Sequence, residues 1–151
     1  MPSYDRGSDW KRNRWAGTIS GPQVDVTGRV TSSGVLEADG IGYRTGAGST
    51  VTQQTNKSTG VTINAKTGLI TMNNAALAAD AIVTFVVTNS AVGATDMVVL
   101  QHDSVATFGA YLLTPNTFAS GSFSISVTNV SAGSLSNAIV IRFLVIKSVN
   151  A

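Results

Sequence analysis

The residues best equipped for chemistry fall in one short run, Gln101, His102, Asp103 and Ser104, and His102 is the only histidine in the chain. Serine, histidine and aspartate are the parts of a nucleophilic triad, in which the imidazole takes the hydroxyl proton and the carboxylate orients the ring. Neighbours on an extended strand point to opposite faces, so this run does not assemble a triad. His102 is expected to be a polar residue near a strand end. The carboxylates Glu37, Asp39, Asp96 and Asp103 do not repeat at ligand spacing with a histidine, and cysteine is absent. Calcium at a sandwich loop is the one metal alternative these residues leave open. The expectation is a protein that is not an enzyme, with no catalytic residue, metal ligand or cofactor.

Two further patterns carry little. Gly46-Ala47-Gly48 lacks the third glycine and the helix of a nucleotide-binding fingerprint, so its glycines are read as permitting an unusual backbone conformation. Asn56-Lys57-Ser58 and Asn129-Val130-Ser131 match the glycosylation acceptor pattern. With no apolar leader at the N-terminus they are read as chance matches.

Docking chemistry is concentrated at the start of the chain. Trp10 and Trp15 flank Lys11, Arg12, Asn13 and Arg14, and residues 1–15 hold the whole formal net charge of +2. From residue 16 onward basic and acidic side chains balance. Trp and Arg dominate the buried centres of interfaces, so Trp10, Lys11, Arg12, Arg14 and Trp15 are expected to anchor the chain on an acidic protein surface. Both indoles folding back onto the domain is the alternative.

The elements that must position these groups read as short strands. Residues 61–64, 69–72, 82–88, 97–101, 106–113, 123–129 and 139–149 are rich in Val, Ile and Phe, with turn residues between them. Phe123, Ile125 and Val127 alternate with Ser122, Ser124 and Ser126, a half-buried pattern. The only helix candidate is the Ala-rich stretch 74–80, about two turns at most, which reads equally as a loop. An all-β, antiparallel sandwich of jelly-roll or Ig-like type is therefore predicted for residues 40–151. Residues 1–39 are predicted to form an extended N-terminal arm with short β segments, among them a hairpin within 24–36.

The last strand is apolar on both faces. Ile139, Ile141, Phe143 and Val145 are assigned to the core, and Val140, Arg142, Leu144 and Ile146 to a second layer or subunit contact. Arg142 either reaches a carboxylate on a neighbouring strand or snorkels at an oligomer interface, and the second is preferred. Charged residues make up only 12% of the chain. A surface so weakly charged suits extended protein contacts better than nucleic acid, which needs clustered Lys and Arg. No stretch approaches the ~20 apolar residues of a membrane-spanning helix.

Three segments carry a family likeness: residues 40–62 (GIGYRTGAGSTVTQQTNKSTGVT), 68–79 (GLITMNNAALAA) and 127–147 (VTNVSAGSLSNAIVIRFLVIK). Together they resemble small virion proteins of tailed bacteriophages, either capsid decoration (cement) proteins or domains of tail and head fibres. The resemblance runs from about residue 40 to the end and brings no catalytic residues. It implies a structural protein of the virion, made in the host cytoplasm. One domain with a short arm favours the capsid decoration reading over a long fibre. The expected partners are then the major capsid protein and the chain itself, as a homotrimer, on the outer capsid surface, with no nucleic acid or membrane. The alternative is a fibre module that binds a host receptor or glycan through loops such as 103–109 or 113–121, using Val105, Phe108 and Phe118.

Overall fold

The structure is a computed structural model that describes residues 42–104 and 107–148. Contacts divide the chain into Met1–Asp39 and Gly40–Ala151, and the account below concerns the second unit. Trp10, Lys11, Arg12, Arg14, Trp15, the hairpin expected within 24–36, and Val105 lie outside the described residues.

Eight strands follow one another: β1 (Gly48–Thr52), β2 (Val61–Thr62), β3 (Thr67–Thr71), β4 (Ile82–Thr88), β5 (Met97–Ser104), β6 (Tyr111–Ala119), β7 (Ser122–Asn129) and β8 (Val140–Ile146). They form two four-stranded sheets, β1-β3-β8-β5 (sheet A) and β2-β4-β7-β6 (sheet B). The sheets pack as a β-sandwich, the all-β class that the alternation of apolar residues predicts. Phe85, Val87, Phe123, Ile125 and Val127 of sheet B meet Ile70, Ile141, Phe143 and Val145 of sheet A in one core. The rings of Phe123 and Phe143 lie 5.9 Å apart across it.

Among the described residues only β6 and β7 form a hairpin within one sheet; each other connection between consecutive strands crosses to the opposite sheet. The central pairs are antiparallel, whereas the edge strands β1 and β2 join β3 and β4 in parallel. The parallel edges follow from the crossings: a chain that crosses from one sheet to the other and back returns running in its original direction.

One open alternative is decided and one expectation is corrected. Residues 74–80 are not helical: Leu77 forms an isolated bridge with Leu135, through backbone hydrogen bonds of 2.9 and 3.0 Å. Two turns of Ala-rich helix have too few internal bonds to offset nucleation, and burying Leu77 prevails. The strand expected at 106–113 instead spans Tyr111–Ala119. It runs through Pro115, which is tolerated because β6 is the outer strand of sheet B. A register shift between Asn116 and Ala119, with Thr117 at φ 51°, bends its far end.

Candidate functional site

β8 is an inner strand of sheet A, and its core residues fix how the others face. Ile141, Phe143 and Val145 are wholly buried, so Arg142, Leu144 and Ile146 project from the outer face, with Val140 half-buried beside them. The register brings them against exposed residues of the neighbouring strand. Ile146 lies opposite Met97 and Leu144 opposite Val99 on β5, while Leu69 of β3 lies opposite Arg142. Met97 is 59% exposed and even Leu144 keeps 36%. The four predicted contact residues are thus together on one surface, along a strip where the apolar side chains of Met97, Val99, Leu144 and Ile146 face solvent and half-buried Leu69 flanks them.

Arg142 departs from the preferred reading. Its Nε donates to Asp103 Oδ1 at 2.9 Å, and its Nη2 reaches the same oxygen. A bulge between His102 and Ser104 leaves Asp103 out of register and lets its carboxylate lie beside Arg142. Both partners are well solvated, so the pair is worth roughly 0–1 kcal/mol. It neutralises the one charged position of the strip without anchoring the fold.

The same bulge separates the parts of the apparent triad. Asp103 is engaged by Arg142 and Ser104 is exposed. His102 turns inward, its Nε2 lying 3.1 Å from the carbonyl of Tyr111 and its Nδ1 buried without a partner. Among the described residues no group of three or more His, Cys, Asp or Glu is arranged to hold a metal ion.

Sheet B also presents apolar side chains to solvent. Ile82, 66% exposed, and Leu112 stand on either side of Thr128, and Val86 lies beyond them on β4. A hydroxyl ladder runs between: Thr84 Oγ1 and Ser126 Oγ are 2.7 Å apart, and Asn116 Nδ2 donates to Ser126 at 2.8 Å. No charged residue occurs at the paired positions of this face. Of the loops considered for a receptor, most of 113–121 is strand β6, and Phe118 stacks on Phe123 at 6.4 Å. Phe108, in the turn before β6, is 96% exposed.

Two features had no clear signal in the sequence. Lys57 is buried, and its ammonium donates to the carbonyls of Asn73 and Asn137 at 2.6 Å each. Burial pushes its pKa below the usual lysine value. Asp96, also buried, accepts from Lys147 Nζ at 2.6 Å and from the Gly93 N–H at 2.7 Å. Those bonds, the one from Lys147 foremost, hold its carboxyl below the ordinary range against the opposing effect of burial.

The two acceptor-like triplets have a structural explanation. In each, the asparagine Oδ1 accepts from both the N–H and the hydroxyl of the serine two residues on, at 2.9 and 2.7 Å for Asn56–Ser58 and 3.0 and 2.7 Å for Asn129–Ser131. The pattern is that of an Asx turn. Asn129 is fully buried, and its amide also donates to the carbonyls of Leu77, Ala78 and Gly133, tying the 77–81 loop to the end of β7. Compared with protein-family models, with curated proteins and with solved structures, the chain finds no match.

Proposed function

We propose that the chain is a capsid decoration protein of a tailed bacteriophage, which associates with copies of itself and stabilises an assembled shell. The observation that carries this reading is the outer face of sheet A, where Met97, Val99, Leu144 and Ile146 form an exposed apolar strip neutralised at its one charged position. Such a strip suits burial against protein, and the likeness of residues 40–62, 68–79 and 127–147 to phage virion proteins supports the particle as its setting. Stabilisation is mass action: a protein that binds the assembled shell but not its separated parts shifts the balance toward the shell. Trp10, Lys11, Arg12, Arg14 and Trp15 anchor the arm on the major capsid protein in this reading, and Val140, Arg142, Leu144 and Ile146 join the copies. Full-length protein mixed with undecorated capsids should sediment with them and raise the temperature at which they rupture. Deleting residues 1–16 should weaken that binding severalfold, and undiminished binding would remove the arm as anchor.

A second reading, a fibre module for a host receptor or glycan, is favoured by Phe108, whose ring is almost wholly in solvent. Labelled protein that coats host cells but ignores capsids would replace the first reading with this one.

A further inference from the structure

The described residues include five basic and three acidic side chains, and their pairing leaves free positive charge in one place. Arg142 is matched by Asp103 and Lys147 by Asp96, while Lys57 is buried on two carbonyls. Arg44 and Lys66 remain, with no acidic partner among the described residues. Both line one open depression of about 430 Å³, together with Tyr43, Ala47, Asn64, Ala65 and Ala91.

The walls of this depression are ordered by bonds of their own. The Tyr43 hydroxyl donates to the Val145 carbonyl, and Lys66 Nζ stands 5.7 Å from the centre of the Tyr43 ring. Arg44 opens a turn closed by the Ala47 N–H at 3.1 Å, with Gly46 at φ 87°, a conformation that glycine adopts without strain. Across the depression, Asn64 Oδ1 accepts from the Ser90 N–H at 2.9 Å, and the Ala65 carbonyl accepts from buried Asn89 at 2.7 Å. The two cations therefore stand on backbone that is already fixed, which lowers the entropy lost when a ligand binds.

We propose that this depression binds a carboxylate-bearing polypeptide segment, an Asp or Glu side chain held between Arg44 and Lys66. Guanidinium matches a carboxylate in a two-pronged hydrogen bond, and lysine adds a point charge beside it. The methyl groups of Ala47 and Ala91 offer the aliphatic stem of such a side chain an apolar seat. A polyphosphate chain is a poorer fit, because it gains affinity from a track of many cations and only two are present. The inference rests on charge pairing and does not depend on the chain being a shell protein.

The test uses the full chain with its alanine methyl groups labelled for NMR, and a blocked peptide of alternating Glu and Ala as probe. The methyls of Ala47 and Ala91 should shift saturably and less as salt is raised, while core methyls, that of Ala65 among them, stay in place. Arg44→Gln or Lys66→Gln should each weaken binding about tenfold, the loss of one charged contact, and the Arg44→Lys, Lys66→Arg pair should retain most of it. The proposal fails if the Ala47 and Ala91 methyls do not respond, or if a Gln–Ala peptide moves them equally. It also fails if the double Gln variant still binds, or if inorganic phosphate or an oligothymidylate saturates the site at lower concentration than the peptide.

Discussion

Lys57 contradicts its own chemistry most directly, since an ammonium group is among the costliest side-chain groups to remove from water. Its partners are carbonyls 16 and 80 residues away in the chain, so no local pattern could announce its burial. Lys57→Ala would orphan both carbonyls, and a loss of about 1–3 kcal/mol is expected in urea unfolding. The sign of its pH dependence follows from its lowered pKa. The folded protein releases the proton at lower pH than the unfolded chain does, so the Lys57 contribution to stability grows as pH rises toward the ordinary lysine value. Tyr111, whose pKa is raised by burial, acts oppositely above about pH 10, so melts between about pH 7 and 9.5 isolate the lysine. Over that range the wild type should gain on Lys57→Met, and a constant difference would count against the lowered pKa. Asp96 governs the acid side. Its contribution is complete above about pH 4, the unfolded carboxylate value, and is lost as pH falls through its lower folded value. Asp96→Asn should flatten that acid limb.

At the scale of elements, the sequence was legible where one face of a strand is packed on the core and the other is not. Ile82–Thr88 alternates as its residues predict, and in Ser122–Asn129 Phe123, Ile125 and Val127 are buried as predicted, although Ser124, expected to face out, is buried as well. For β8, apolar on both faces, alternation divides the residues correctly into Ile141, Phe143 and Val145 inside and Arg142, Leu144 and Ile146 outside. It was silent about Asp103, whose approach to Arg142 depends on a bulge in another strand. The parallel edges were equally hidden, since they arise from the order of crossings and not from composition. Gly68 shows how tightly such an edge is set. A Cβ there would lie 2.5 Å from the Ser49 carbonyl of β1 and 2.9 Å from the Phe143 ring. Backbone cannot swing aside as a side chain can, so Gly68→Ala should cost about 1–3 kcal/mol through displacement of β1. A thermal melt several degrees lower would show it. An unchanged melt would mean that β1 is free to drift from β3.

For the whole molecule, the question is how a sandwich with apolar residues exposed on both outer faces satisfies them. A ring of identical copies either pairs two different patches or gathers one patch around its axis, whereas one patch meeting itself across a two-fold axis closes a dimer. Sheet A offers Met97, Val99, Leu144 and Ile146, and sheet B offers Ile82, Val86 and Leu112, on opposite sides of the same core. If copies assemble as a trimer with the A face of one against the B face of the next, Leu144→Asp and Leu112→Asp should each abolish the ring. Neither should unfold the monomer, because both side chains already face solvent. Mixing the two variants then distinguishes the arrangements by molar mass. The Leu144→Asp copy keeps an intact B face and the Leu112→Asp copy an intact A face, so together they should form a one-to-one dimer and stop there. If Leu112→Asp alone keeps the wild-type mass, the copies join without sheet B. The strip on sheet A then either pairs with itself, giving twice the monomer mass, or surrounds a three-fold axis, giving three times.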